Sequence, residues 1–188
     1  EFLSYMQKFQ WKVTGVEPDA DARSYTASRG LRVLPELQRI QRSRFQVITL
    51  WHVLEHLPDL RKSVQHLVNL LESSGYLILA MPNVDAFDAR EYGEHWVALD
   101  TPRHLYHFTQ ADVEELFRPF PIQLISTRGL WLDTIYNVLY SEQLYHAQTG
   151  ERYHPFNMLR TLIWSYGNDA RSEQKEASAS VYIFQKEQ

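Results

Sequence analysis

The residues best suited to chemistry lie in two short stretches: His52, Glu55 and His56 within HVLEH, and Arg103, His104 and His107 within RHLYH. Imidazole and carboxylate side chains together can hold a divalent cation or pass a proton near neutral pH, because histidine changes charge there and a carboxylate accepts from several donors. A third candidate stands alone. Glu17 closes the stretch VTGVEPD, where an acid at a strand end can accept two hydrogen bonds from the hydroxyls of a nucleotide ribose. Each has a plainer reading as well. Glu17 can be an exposed strand-end acid, Glu55 and His56 can shape a loop and cap the next helix, and His104 and His107 can pin a loop through backbone hydrogen bonds.

Positioning these groups requires a scaffold, and the order of apolar runs describes one. A short helix over residues 2–9 precedes a strand over 12–16, a helix from 19 to 30 and a second short strand over 31–34. Residues 45–51 (FQVITLW) and 76–81 (YLILAM) are continuous apolar runs of the kind buried on both faces of a parallel sheet. Between them, residues 58–71 place Leu60, Val64, Leu67 and Leu71 on one helical stripe, and Gly75 is expected to end that helix as a left-handed cap. Thr109 should cap a helix reaching residue 117, followed by strands over 122–127 and 181–184. Strands alternating with helices indicate an α/β fold with a mostly parallel sheet, in which ligands sit at the carboxyl ends of the strands.

Composition narrows the function classes. The chain has 188 residues, 44% of them hydrophobic, enough for one domain with a substantial core. Its 19 basic and 23 acidic residues give a formal charge of -4 without long single-sign blocks, so no nucleic-acid partner is expected. With no cysteine there is no thiolate metal site, disulfide or thiol nucleophile, which suits a reducing, cytoplasmic setting. The apolar runs are strand-length, short of the roughly 20 residues of a membrane-spanning helix, so no transmembrane segment is expected.

WHVLEHLPDL (Trp51 to Leu60), LAMPN (Leu79 to Asn83) and DTPRHLYHFT (Asp100 to Thr109), in this order after the acid Glu17, together resemble one large branch of the class I S-adenosylmethionine-dependent methyltransferases, including the ubiquinone-pathway O-methyltransferases. The likeness covers residues 1–127. It implies a Rossmann-like sheet in which Glu17 binds the cofactor ribose, residues 33–37 including Leu34 border the adenine, and Trp51 and His52 line the methionine portion. The family's first strand and glycine-rich loop have no counterpart here: none of the seven glycines lie close enough together to cradle a phosphate or carboxylate. The chain is therefore expected to begin at or just after that loop, and to bind the cofactor weakly or not at all by itself.

HVLEH also matches a zinc metallopeptidase signature, HxxEH. That chemistry needs a sustained helix, whereas an apolar strand ends one residue before the motif and Pro58 follows two residues after it. In the resembling methyltransferases an ExxEH pattern holds a divalent cation that orients substrate oxygens. Here His52, Glu55 and His56 would be the ligands, and imidazole in place of a carboxylate favours a softer metal than magnesium. The resemblance places His104 near the substrate mouth, where it, or His52, could take a proton from an acceptor hydroxyl.

The last region is aromatic. Trp131, Tyr136, Tyr140, Tyr145, Tyr153, Phe156, Trp164 and Tyr166 crowd a stretch poor in glycine and proline, read as a helical insertion. It suits a pocket wall, a lid, a homodimer face or an extra layer over the sheet. Residues 1–129 are thus expected as a partial methyltransferase core, 130–170 as the insertion or lid, and 171–188 as the last strand of the core. The expected activity of the intact parent protein is methyl transfer to an oxygen of a small, lipid-linked or glycan-linked acceptor, with this fragment by itself expected to be inactive; the alternative is a non-catalytic interaction module.

Overall fold

The computed structural model describes residues 1–41, 44–151, 155–171 and 177–188, so Tyr153 and the side chain of Tyr166 lie outside it. The chain forms two compact units, Glu1–Arg44 and Phe45–Gln188. The boundary falls within the stretch expected as a single core.

The first unit holds α1 (Phe2–Lys8), β1 (Gly15–Val16), α2 (Ala20–Ser28) and β2 (Val33–Leu34). β1 and β2 pair in parallel, Gly15 opposite Val33 and Val16 opposite Leu34, and the pairing extends one residue as the Glu17 amide donates to the Leu34 carbonyl at 2.9 Å. α2 begins where Asp19 accepts from the Ala22 amide at 2.7 Å, satisfying one of the orphan donors of a helix start.

In the second unit β3 (Phe45–Trp51), α3 (Leu60–Leu70) and β4 (Leu71–Pro82) form a strand, crossover helix and parallel strand. α4 (Phe87–Tyr92), α5 (Gln110–Phe117), β5 (Ile122–Gly129), α6 (Trp131–Thr149), α7 (Pro155–Arg171) and β6 (Ala179–Lys186) follow. The sheet order is β3-β4-β6-β5. β6 is antiparallel to both its neighbours, so β3, β4 and β5 run one way and β6 runs the other. The expectation of a mostly parallel sheet therefore meets a single parallel pair here, β3 with β4. The cause is the last strand, which returns from α7 and wedges between two strands of common direction.

The core lies where α3 and α5 cover this sheet. Val64, Leu67 and Val68 of α3 are buried, as are Leu77, Leu79 and Met81 of β4, each such side chain contributing about 2 kcal/mol. Phe117 of α5 packs on Phe184 with ring centroids 4.4 Å apart. Lys186 of β6 donates to the carbonyls of Val68 and Leu71 at 2.8 and 3.0 Å, placing a cation on the last turn of α3 where the helix dipole is negative.

Gly75 does not cap α3. The helix ends at Leu70 and passes directly into β4, and Gly75 lies inside that strand. A Cβ there would stand 3.0 Å from the Glu72 carbonyl oxygen and 3.1 Å from that of Phe45, so any other residue would have to push the backbone aside by a few tenths of an ångström. The left-handed conformation falls on Ser74 instead, at φ 60°. Thr109 behaves as expected: its hydroxyl accepts from the Asp112 amide and Asp112 accepts in return from the Thr109 amide, a capping box for α5. Among the described residues no helix is long and apolar enough to cross a membrane.

Candidate active site

β3 runs out at Trp51, and the chain turns through His52 at φ 51° into a single 3-10 turn, Leu54–His56. That bend at the carboxyl end of a parallel strand sets the cluster. The His52 amide still donates to the Ala80 carbonyl of β4 at 2.9 Å, fixing the turn to the sheet. Glu55 is fully buried, and among the described residues neither of its carboxylate oxygens has a hydrogen-bond partner. An uncompensated buried carboxylate costs several kcal/mol in most settings. What surrounds it is imidazole.

A second segment brings the other histidines. Asn83, just past β4, pairs with Phe108, and the amides of Leu105 and Tyr106 both donate to the Glu55 backbone carbonyl, at 2.9 and 3.3 Å. These bonds lay residues 104–108 beside the turn. Asp100, in a left-handed conformation, holds Arg103 through a two-nitrogen contact at 2.7 and 3.0 Å and so shapes the approach. Glu55, His56 and His104 then present three ligand-type atoms within 4.8 Å of one another.

The ring nitrogens are assigned by their partners. His56 Nδ1 lies 2.9 Å from the Arg103 carbonyl, and His104 Nδ1 lies 2.8 Å from the Ala98 carbonyl. A carbonyl can only accept, so each Nδ1 carries the proton and each Nε2 of the neutral ring offers a lone pair. His104 Nε2 is 4.0 Å from Glu55 Oε1. Burial pulls the His104 pKa below its ordinary value, which keeps that lone pair available at neutral pH.

His52 is placed differently from the expected set of His52, Glu55 and His56. Its Nε2 meets Asp133 Oδ2 at 2.6 Å and its Nδ1 lies 3.4 Å from Glu55 Oε1. The hydrogen bond to Asp133, and then the contact with Glu55, push its pKa up to about 9 against the opposing effect of burial. An imidazolium between two carboxylates offers no lone pair. The cluster thus joins Glu55 and His56 to His104, while His52 faces Asp133 on the first turn of α6. Asp133 carried no signal in the sequence beyond being an acid among aromatics. His107 is drawn off to the Leu99 carbonyl at 2.8 Å.

In the first unit, Glu17 is half-buried at the carboxyl end of β1, and the Asp19 amide donates to its Oε1 at 2.9 Å. Arg23 donates to the backbone carbonyls of Glu17 and Pro18 at 2.9 and 3.0 Å, so the turn carrying this acid is held from both sides. Leu34 ends the neighbouring strand. Trp51 in the second unit is 43% exposed at the end of β3.

Comparisons with known proteins now bear on this arrangement. A family model described as a methyltransferase domain matches residues 1–126. No curated protein is close enough in sequence to match. Among solved structures, the chain is similar to an S-adenosylmethionine-dependent methyltransferase from Thermotoga maritima, with a TM-score of 0.59 at 15% identity over 93% of this chain and 72% of that one. It is likewise similar to a mycolic acid cyclopropane synthase solved with S-adenosylhomocysteine, with a TM-score of 0.61 at 11% identity over 98% and 72% of the two chains. The N-methyltransferase NodS from Bradyrhizobium japonicum, also solved with S-adenosylhomocysteine, gives 0.52 at 12% identity over 94% and 67%. At such identities the likeness is one of fold.

Proposed function

The chain belongs to the methyltransferase-domain family, and on that premise we propose that it transfers a methyl group from S-adenosylmethionine to an oxygen of a small, lipid-linked or glycan-linked acceptor, with a divalent cation at Glu55, His56 and His104 orienting the acceptor. The observation that carries this reading is the buried Glu55 carboxylate, which has no hydrogen-bond partner among the described residues and has His52 Nδ1 at 3.4 Å and His104 Nε2 at 4.0 Å from its Oε1.

The residues fit each group to a different extent. Glu17 is an acceptor at the carboxyl end of a parallel strand, steadied by the Asp19 amide, which suits a ribose diol. No glycine-rich turn occurs in the sequence, so Glu17 fits the ribose end of the cofactor and no residue here is assigned to its methionine carboxylate. When bound, S-adenosylmethionine supplies an electrophilic methyl group on a sulfonium. For the cation, one carboxylate and two imidazoles form a mixed oxygen and nitrogen donor set, which favours zinc or manganese over magnesium. The carbonyls of Arg103 and Ala98 hold the two rings in the tautomer that ligation requires. A ligand role for His104 and a role as base both draw on the one Nε2 lone pair, and the nearness of Glu55 favours the former. Transfer to oxygen is the form of the reaction that a cation assists most, since it draws the acceptor oxygens into place.

Calorimetric titration of Zn²⁺ and Mn²⁺ into the protein and into its Glu55→Gln variant is the test. Binding by the wild type that the variant loses supports the cation site, and equal binding by both removes it. S-adenosylhomocysteine titrated into the protein and into Glu17→Ala addresses the cofactor separately, with affinity falling about tenfold in the variant if a charged hydrogen bond is lost. Equal affinity in the two would discard the ribose assignment.

A further inference from the structure

α6 and α7 are patterned inside out. The inward face of α6 carries Thr134, Asn137, Val138, Ser141 and Glu142, all buried, so that small and polar side chains line its inner side. Glu142 is accommodated there by the Tyr92 hydroxyl, which donates to it at 3.0 Å. The opposite face carries Leu132, Ile135, Tyr136, Leu139 and Tyr140, an i, i+3, i+4, i+7, i+8 stripe standing in water, with Leu132 at 77% exposure. α7 repeats the pattern: Thr161 and Ser165 are buried, while Phe156, Leu159 and Ile163 are exposed, Phe156 at 75%. Met158 and Leu162 of α7 and Val138 of α6 pack on one buried cluster around Trp96 and Tyr92, so both outer stripes face away from the same core.

We propose that a second copy of this chain covers these stripes, in a two-fold dimer built on α6 and α7. Area is the first argument. The exposed fractions of these apolar side chains, with Trp164 beside them, leave on the order of 1,000 Å² in water, compared with about 800 Å² per partner in a standard interface and roughly 300–600 Å² for the largest patch of a typical monomer. Chemistry is the second. α6 contains no lysine or arginine, and α7 has only Arg160, engaged by Glu91, and Arg171 at its last position, so the stripes lack the rows of basic residues that seat a helix on anionic lipid. Tyr136 and Tyr140, with ring centroids 4.3 Å apart, place hydroxyl-tipped aromatics in the middle of the α6 stripe, a composition favoured at the centre of protein interfaces. A patch that pairs with its own copy about a two-fold axis closes after two subunits, which requires no other partner.

Sedimentation velocity of the wild-type chain across the micromolar range, beside Leu132→Glu and Phe156→Glu, tests this. Both side chains are largely exposed, and each lies on a different helix, so a folding defect in one variant leaves the other informative. The expected result is a wild-type dimer that each variant weakens by about tenfold or more, with unaltered circular dichroism melting. A wild type that stays monomeric throughout would overturn the proposal, as would a dimer equally tight in both variants. A monomer that binds phosphatidylcholine vesicles through the stripes would assign the surface to lipid and overturn it too.

Discussion

Glu55 and Asp88 are both fully buried carboxylates in the same unit, and their surroundings differ in kind. Asp88 of α4 has fixed donors: the Trp96 indole N–H reaches its Oδ2 at 2.7 Å, and the Ser178 hydroxyl donates to the same oxygen. Among the described residues Glu55 has no hydrogen-bond donor on either oxygen; His52 Nδ1 stands 3.4 Å and His104 Nε2 4.0 Å from its Oε1, with His56 in the same cluster. Asp88 is closed on Oδ2 alone, its Oδ1 being without a hydrogen-bond partner among the described residues, whereas Glu55 lacks one on both oxygens and, with His56 and His104, suits something that accepts lone pairs from all three groups at once. A cation does that. The contrast teaches that burial alone does not mark a site; the polarity of the neighbours does.

The largest expected effect separates the two by stability. Asp88→Ala leaves the Trp96 N–H and the Ser178 hydroxyl buried without their acceptor, at about 1–3 kcal/mol each, so urea unfolding should show a loss of about 3 kcal/mol while cation affinity is retained in the folded fraction. Glu55→Gln removes a buried charge but also an ionic neighbour of the His52 imidazolium 3.4 Å away, so the two effects oppose and unfolding stability should stay within about 1 kcal/mol of wild type. Equal destabilisation by both changes would erase the distinction.

Next in size is ligation itself. Glu55→Gln keeps the shape of the side chain and replaces an anionic ligand, so Zn²⁺ affinity should fall about 100-fold or more by calorimetry, whereas Asp88→Asn should leave it within about twofold. A cation bound equally well by Glu55→Gln would place any metal away from this cluster.

How far the sequence reveals these two carboxylates follows from how each is assembled. The run at 45–51 announced β3 with its ends, and Thr109 with Asp112 announced the start of α5, because period, apolar content and capping chemistry are local. Glu55 and His56 were legible for the same reason. His104 was visible as a histidine but not as their partner, since the join is made by the Leu105 and Tyr106 amides on the Glu55 carbonyl. Asp133, 81 residues from His52, was invisible as a contact. Asp88 is not singled out by the sequence, since its partners Trp96 and Ser178 lie 8 and 90 residues away. Gly75 was misassigned because α3 joins β4 without a loop, a junction that composition does not mark.

The smallest effect probes how Asp88 is closed. Burial raises its pKa above the ordinary 3.8, and the hydrogen bonds from Ser178 and Trp96 pull the other way. With the folded pKa above the unfolded one, the folded state binds more protons between the two values, so this group makes stability fall as pH rises across that window and level off above it. Ser178→Ala removes the largest opposing interaction, so the folded pKa should climb further and the declining window should extend upward. Above the window, where Asp88 is charged in both states, the variant should be less stable by about 1 kcal/mol. Below the window both states hold the proton, and a neutral carboxyl loses less with the hydroxyl, so the gap to wild type should narrow on acidification. Urea unfolding of the two proteins across acid and neutral pH measures that gap directly. A gap constant with pH would mean that Ser178 acts on packing and not on the charge of Asp88.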